Sequence, residues 1–273
     1  VTTTLRPTAP ERRTEDGGRS RTYEICVNSR PVGSVDLATD HRFGPRFGTI
    51  ARLVVDEPDR GRGRGTVAAL AAEEVLRGWG CGQVAVSIPA SATRALGLAG
   101  ALGYTERNRS MAKPLAEAPA LPAGSTARPM TEEEFPAWQT AGKAAYAAHW
   151  ADRGIPRAQA LAKAERDHAT ALSRGPATPG AVLRVLTHGG EDVGTLWLAV
   201  RDGAAFVFDV LVGAAHRGRG HGRTLMRLAE RESLAAGART LGLNVFTDNI
   251  PALRLYESLG YEPTDYHLYK PLF

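Results

Sequence analysis

Two stretches of this chain are near copies: "DRGRGRGTVAAL" from Asp59 and "HRGRGHGRTLMRL" from His216. In register, Arg60 falls on Arg217, an offset of 157 residues, the difference between 217 and 60. The same offset carries Glu73 onto Glu230 and Gly80 onto Gly237. It also carries "ALGLAGALGY" from Ala95 onto "ALRLYESLGY" from Ala252, and "MAKPL" from Met111 onto "LYKPL" from Leu268. The register holds without a gap from about residue 48 to about 115. A period this far above the roughly 20–50 residues of solenoid repeats means two tandem domains. The stretch "AEAPALPAGST", rich in Pro, Ala and small polar residues, reads as the join. The expected domains are 1–118 and 127–273, with 119–126 as linker.

Composition narrows the class. With 43% apolar residues in 273, each domain has enough for a core, and disorder is not expected. The net charge of +5 divides into +4 for residues 1–118 (17 Lys+Arg against 13 Asp+Glu) and +1 for residues 119–273 (17 against 16). Neither is the concentrated basic face that nucleic-acid binding needs. There is no apolar run near 18 residues, so no membrane partner is expected. Two cysteines, Cys26 and Cys81, make neither a metal spacing nor a disulfide framework. The expectation is a cytoplasmic protein with both thiols reduced and no metal.

In the second half, "STARPM" reads as a short strand. Thr131 and Glu134 form a capping box for a helix to about His149. Pro156 opens a second helix to about Ser173. A hairpin turns at Gly189-Gly190, and "AAFVFDVLVG" is a buried strand. The glycine phrase follows, then a helix from about Gly222 to Ala236, a strand "RTLGLNVF", a helix over 249–259 and closing strands. The first half follows the same plan from "TYEICVNSRPVGSVDL" on, but has no room for the two early helices. One side of its sheet is therefore expected to lack a cover and to pack on the second domain or on another chain, which would make a homodimer.

A strand running into a glycine-rich turn with a helix directly behind it makes an anion cradle. Helix N-termini leave backbone N–H groups unpaired and carry partial positive charge, and glycines let the main chain approach closely. The form here is R-x-x-G-x-G, at Arg217–Gly222 and again at Arg60–Gly65. It is neither a Walker phrase nor a dinucleotide fingerprint.

Strand, R-x-x-G-x-G, helix, a strand that ends near Asn244, then "DNIPALRLYESLGY": this set resembles the GNAT superfamily of acetyl-CoA-dependent N-acetyltransferases. The resemblance covers nearly all of 127–273 and, in the first half, about 22–115. The layout is similar to two-domain members such as mycothiol synthase. It implies a mixed α/β fold of two tandem domains, each a twisted, mostly antiparallel sheet flanked by helices, the first truncated. It implies a V-shaped opening between the fourth and fifth strands for acetyl-CoA.

Carried onto this sequence, the pyrophosphate would sit on main-chain N–H groups of Arg217, Gly218, Arg219, Gly220, His221, Gly222 and Arg223. Leu211 and Val212 would meet the pantetheine arm and the thioester carbonyl through main-chain groups, and Asn244 and Asn249 would lie along it. Tyr256 would serve the leaving thiolate as hydrogen-bond donor or acid; as a residue alone it also fits a core position. Asn249 also fits a helix cap. Asp209 stands in the apolar run "FVFDVLV", where a carboxylate needs a partner or a role, either general base or structural. Simple alternation would put Phe206, Phe208, Val210 and Val212 on one face and Asp209 with Leu211 on the other. The helical insert, with His149, Glu165, His168, Trp138, Tyr146 and Trp150, would line the acceptor site.

In the first half the corresponding positions, Val54, Val55, Arg60, Gly61, Arg62, Gly63, Arg64 and Gly65, form a second candidate coenzyme A site. There, however, Tyr256 falls on Ala99, Asn249 on Ala92 and Asn244 on Ser87. The expected function is acetyl transfer to a primary amine of a small molecule in the second domain, with the first structural or coenzyme-A-binding only. Acetylation of a protein amine and a non-enzymatic acyl-CoA sensor are the alternatives.

Overall fold

The structure, a computed structural model, describes residues 2–40 and 42–272. Contacts divide the chain into two compact units, one of Val1–Asn108 with Asp265–Phe273, the other of Arg109–Thr264. No described helix is long and apolar enough to cross a membrane.

The first unit is built from β1 (Thr3–Pro7), β2 (Arg12–Arg13), β3 (Arg19–Val27), β4 (Arg30–Thr39), β5 (Phe47–Val55), α1 (Arg64–Gly78), β6 (Gln83–Pro89), α2 (Thr93–Ala101) and the start of β7 (Thr105–Pro114). The second takes the rest of β7, then β8 (Ser125–Pro129), α3 (Phe135–Ala151), α4 (Arg157–Ala171), β9 (Ala181–His188), β10 (Glu191–Arg201), β11 (Ala204–Val212), α5 (His221–Ala235), β12 (Thr240–Phe246) and α6 (Ile250–Ser258). The last strand, β13 (Glu262–Pro271), returns from Asp265 onward to the first unit. There it pairs antiparallel with β6, from Asp265 opposite Pro89 to Pro271 opposite Gln83. Strand order is β1-β3-β4-β5-β6-β13 in the first unit and β7-β12-β11-β10-β9-β8 in the second.

The compact units thus differ from the expected halves, 1–118 and 127–273, in the tail of each. Met111 and Leu115 are buried in the second unit's core with Leu225, Met226 and Leu241. Leu268 and Leu272 are buried in the first unit's core with Leu76 and Val84. The repeated Glu and Lys follow the same exchange. Glu73, 1% exposed, accepts from Lys270 Nζ at 2.7 Å; Glu230, 4% exposed, accepts from Lys113 Nζ at 2.8 Å. Tyr261 adds an O–H donor to Glu230 at 3.2 Å. Each buried carboxylate is therefore answered by a lysine from the other half of the sequence, as burial of a charge requires.

Within each unit the sheet opens at the same place. β11 pairs parallel with β12 only from Ala204 to Val207, and β5 with β6 only from Phe47 to Thr49. Beyond those residues the two strands part. The expected opening is present in both units.

The second unit's helical insert is anchored by its capping box. Thr131 N–H donates to Glu134 Oε2 at 2.8 Å, and Glu134 N–H donates to Thr131 Oγ1 at 3.2 Å. Arg128 grips the same carboxylate and Asp192. Hydrogen bonds from Arg128 and Thr131 hold the Glu134 carboxyl down at about 2. The first unit lacks this insert. On the sheet face away from α1, its strands satisfy one another: Arg6 pairs Glu24, Thr22 donates to Asp36, and Arg52 donates to Ser34. The face expected to lack a cover carries a cross-strand polar network, which water can solvate.

Candidate active site

The site is built around the junction of β11 and α5. Gly218 and Gly220 adopt φ of 75° and 86°, left-handed values that L-residues with side chains resist. A Cβ at either would meet nothing, so backbone conformation, not crowding, requires glycine here. The first intrahelical bond runs from Thr224 N–H to the Gly220 carbonyl, so the amides of His221, Gly222 and Arg223 lack a helical acceptor. Open space above two glycines and a fan of free amides fits a phosphate. Arg217 has a further task. Its Nε donates to the Val212 carbonyl at 3.3 Å, tying the turn to the strand end. Gly213 N–H donates to the Val193 carbonyl at 3.0 Å and Thr195 lies opposite Leu211, so the main-chain groups of Leu211 face β10 and those of Val210 and Val212 face the opening; the expected main-chain role of Leu211 is corrected to Val210.

The same turn occurs in the first unit, where Gly61 and Gly63 both have φ of 73° and Arg60 Nε donates to the Val55 carbonyl at 2.8 Å. Below it lies buried Asp59, gripped by Arg30 and by Arg64. Under the offset of 157, Asp59 falls on His216 and Arg64 on His221. In the second unit the His221 ring, 5% exposed, lies 5.0 Å from that of His188 and 6.3 Å from that of His216. Burial, helped by the neighbouring histidines and Arg219, pushes its pKa down, so the imidazole is neutral near pH 7.

Alternation fails in "FVFDVLV" because of a β-bulge. Leu198 pairs with Val207 and Trp197 with Asp209, so Phe208 has no partner across the ladder. Ala205 and Val207 enter the core beneath α5, and Val210 and Val212 pack against that same core. Phe206, Phe208, Asp209 and Leu211 are left on the opposite face. The expected grouping of the two phenylalanines with Val210 and Val212 is therefore corrected, and the physical reason is the one extra residue.

Asp209 stands two residues past the last β11–β12 pair, at the mouth of the opening. Desolvation pushes its carboxyl up to about 6, against a single backbone hydrogen bond, from Val210. Tyr256, on α6, is pushed up to about 12, first by desolvation and then by the negative charge of Asp209. The two groups thus feel each other, and the phenol stays protonated at neutral pH. Tyr261, by contrast, is committed to Glu230. In the first unit the corresponding positions hold Arg52 and Ala99. Sequence comparison of the halves could have found Arg52; no signal in the sequence reported the bulge.

Asn249 is the N-cap of α6, its Oδ1 accepting from Ala252 N–H at 3.3 Å. Asn244 donates to Ser110 Oγ at 3.3 Å. On the insert, Lys143 pairs Glu165, Lys163 pairs Asp167, which also accepts from Tyr146, and Arg153 pairs Asp248. The His168 ring lies 4.9 Å from that of Trp197, and its pKa is lowered, chiefly by burial. His149 and Trp150 pack edge-on against Phe246.

Comparison with known proteins gives the same direction. The model of the acetyltransferase (GNAT) family matches residues 2–104 and 142–261. The uncharacterised N-acetyltransferase YycN of Bacillus subtilis is 32% identical over 152 residues, 53% of this chain and 96% of that protein. The crystal structure of a GCN5-related N-acetyltransferase from Sphaerobacter thermophilus shares the fold with a TM-score of 0.60 at 21% identity, covering 92% of this chain and 80% of that one. A tandem GNAT protein from the clavulanic acid biosynthesis pathway does so at 0.52 and 20% identity, covering 94% and 84%.

Proposed function

Because the chain belongs to the acetyltransferase (GNAT) family, we propose that its second unit alone turns over, with Asp209 as general base and Tyr256 as general acid. The chain is an acetyl-CoA-dependent N-acetyltransferase. The acceptor in this reading is the primary amine of a small molecule. The observation that carries the assignment is Asp209 two residues past the last β11–β12 pair, at the strand opening, with Tyr256 within reach of its charge, set against Arg52 and Ala99 in the other unit.

Bound acetyl-CoA supplies the acyl group and a thiolate leaving group. The amides of residues 218–223 hold its pyrophosphate, and the parted edge of β11 at Val210 orients the thioester carbonyl. An alkylammonium with a pKa near 10.4 must lose a proton before attack, at roughly 4 kcal/mol near pH 7. Asp209 is ionised above about pH 6 and poorly solvated, so it accepts that proton more readily than an exposed carboxylate would. Tyr256 keeps its proton until a thiolate forms beside it, and donates it then. Arg52 and Ala99 can do neither, so the first unit is structural or binds coenzyme A without turnover, through Val54, Val55 and residues 60–65.

The test is steady-state kinetics with calorimetry on Asp209→Asn and Tyr256→Phe. Each is expected to lose about 10²- to 10⁴-fold in kcat with acetyl-CoA affinity unchanged. An Asp209→Asn variant that keeps more than a tenth of the rate removes the base from this scheme.

A further inference from the structure

We propose that the acceptor is a monoamine carrying an aromatic ring, seated on a shelf formed by Phe206, Phe208 and Leu211 with its ammonium group at Asp209. The proposal rests on the reading of the second unit as the catalytic one.

The bulge at Phe208 puts these four side chains on one face, at the point where β11 leaves β12. The three apolar ones are 37%, 45% and 47% exposed, while most large apolar side chains of β9, β10 and β12 are buried. An exposed aromatic pair at the mouth of a catalytic opening is unusual and marks a binding surface. The shelf is rigid. Phe208 stacks on buried Trp197 with ring centroids 4.6 Å apart and planes 17° apart. Phe206 meets Phe208 edge-on at 5.2 Å, and Trp138 meets Trp197 edge-on at 5.7 Å. Gly242, opposite Phe206 on β12, leaves room for that ring: a Cβ there would approach Phe206 Cδ2 to 3.3 Å.

Charge selects within the amines. The carboxylates of Glu165, Asp167 and Asp248 are each held by a cation of the same unit. Among the described residues, no cation pairs with Asp209. One uncompensated carboxylate beside apolar rings suits a single ammonium with a planar apolar body. A polyamine would need a second carboxylate without a cation, and the described carboxylates named above are already held.

The test compares kcat/KM for 2-phenylethylamine, ethanolamine, spermidine and glucosamine on the full chain and on Phe208→Ala. 2-Phenylethylamine is expected to exceed each of the others by at least about tenfold. In Phe208→Ala its advantage over ethanolamine should fall about tenfold, the loss of one aromatic contact of ~1.4 kcal/mol. Phe208→Leu, which keeps apolar bulk without a stacking face, should fall in between. Acetyl-CoA affinity by calorimetry serves as the folding control for both variants. Equal or better use of spermidine or glucosamine overturns the proposal and leaves the acetyltransferase reading standing. An unchanged preference in a folded Phe208→Ala overturns it too, as does acetylation of none of the four. Absence of acetyl-CoA binding to the native chain would instead overturn the reading of the cradle on which the proposal rests.

Discussion

Separating the chain in its linker, into 1–118 and 119–273, should unfold both pieces even though each contains a complete copy of the sequence repeat. The first fragment loses Asp265–Pro271, which pairs residue by residue with β6. It loses Leu268 and Leu272, 8% and 7% exposed in the first unit's core. Two leucines at about 1.5–3 kcal/mol each contribute roughly 3–6 kcal/mol. The loss of Lys270 also strands Glu73, 1% exposed, without its cation, at about 3–5 kcal/mol for a buried pair. Together this is about 6–11 kcal/mol, the size of the whole stability of a typical domain. The second fragment loses Met111, Leu115 and the Lys113 that answers Glu230, with a similar consequence. Thermal unfolding by circular dichroism is the assay. Neither fragment alone should show a cooperative transition, and an equimolar mixture should recover one. A monomeric 1–118 fragment that melts cooperatively near the temperature of the intact chain would refute the argument.

Four further outcomes are expected. The rate should show an acidic limb near pH 6, set by Asp209, falling as pH decreases because the base becomes protonated; a flat profile from pH 5 to 8 would point to another base. Asp209 binds its proton more tightly folded than unfolded, so it favours the folded state at low pH and loses that contribution as pH rises through about 6. Asp209→Asn should therefore be more stable at pH 7.5, by up to about 3 kcal/mol, and gain little below pH 4; denaturant melts at both pH values decide this. Asn249→Ala should lower stability by about 1 kcal/mol through loss of the α6 cap, and no change in melting temperature would exclude that role. Gly220→Glu, which forces a side chain into a left-handed turn and a carboxylate against phosphate, should remove one acetyl-CoA site in calorimetry; undiminished binding would place the pyrophosphate elsewhere.

Local chemistry carried much of the result without any structure. The two glycine turns, the Thr131–Glu134 capping box, the missing insert in the first half and the replacement of Tyr256 by Ala99 all follow from residues near one another or from one fixed offset. Each depends on backbone propensity or hydrogen bonding within a few residues, which sequence records directly. Two features depend on partners distant in sequence. An offset of 157 aligns Lys113 with Lys270 and Glu73 with Glu230, but it is the same whether each strand serves its own half or the other. Only the folded chain, where a buried carboxylate must find a cation, decided for exchange. The face of Asp209 was likewise not legible. Strand period is two, so one bulged residue at Phe208 reverses every side chain on one side of it, and the apolar run "FVFDVLV" reads the same with or without the bulge. Pairing with β10 settled it, and with it placed the aromatic shelf and the carboxylate on one surface.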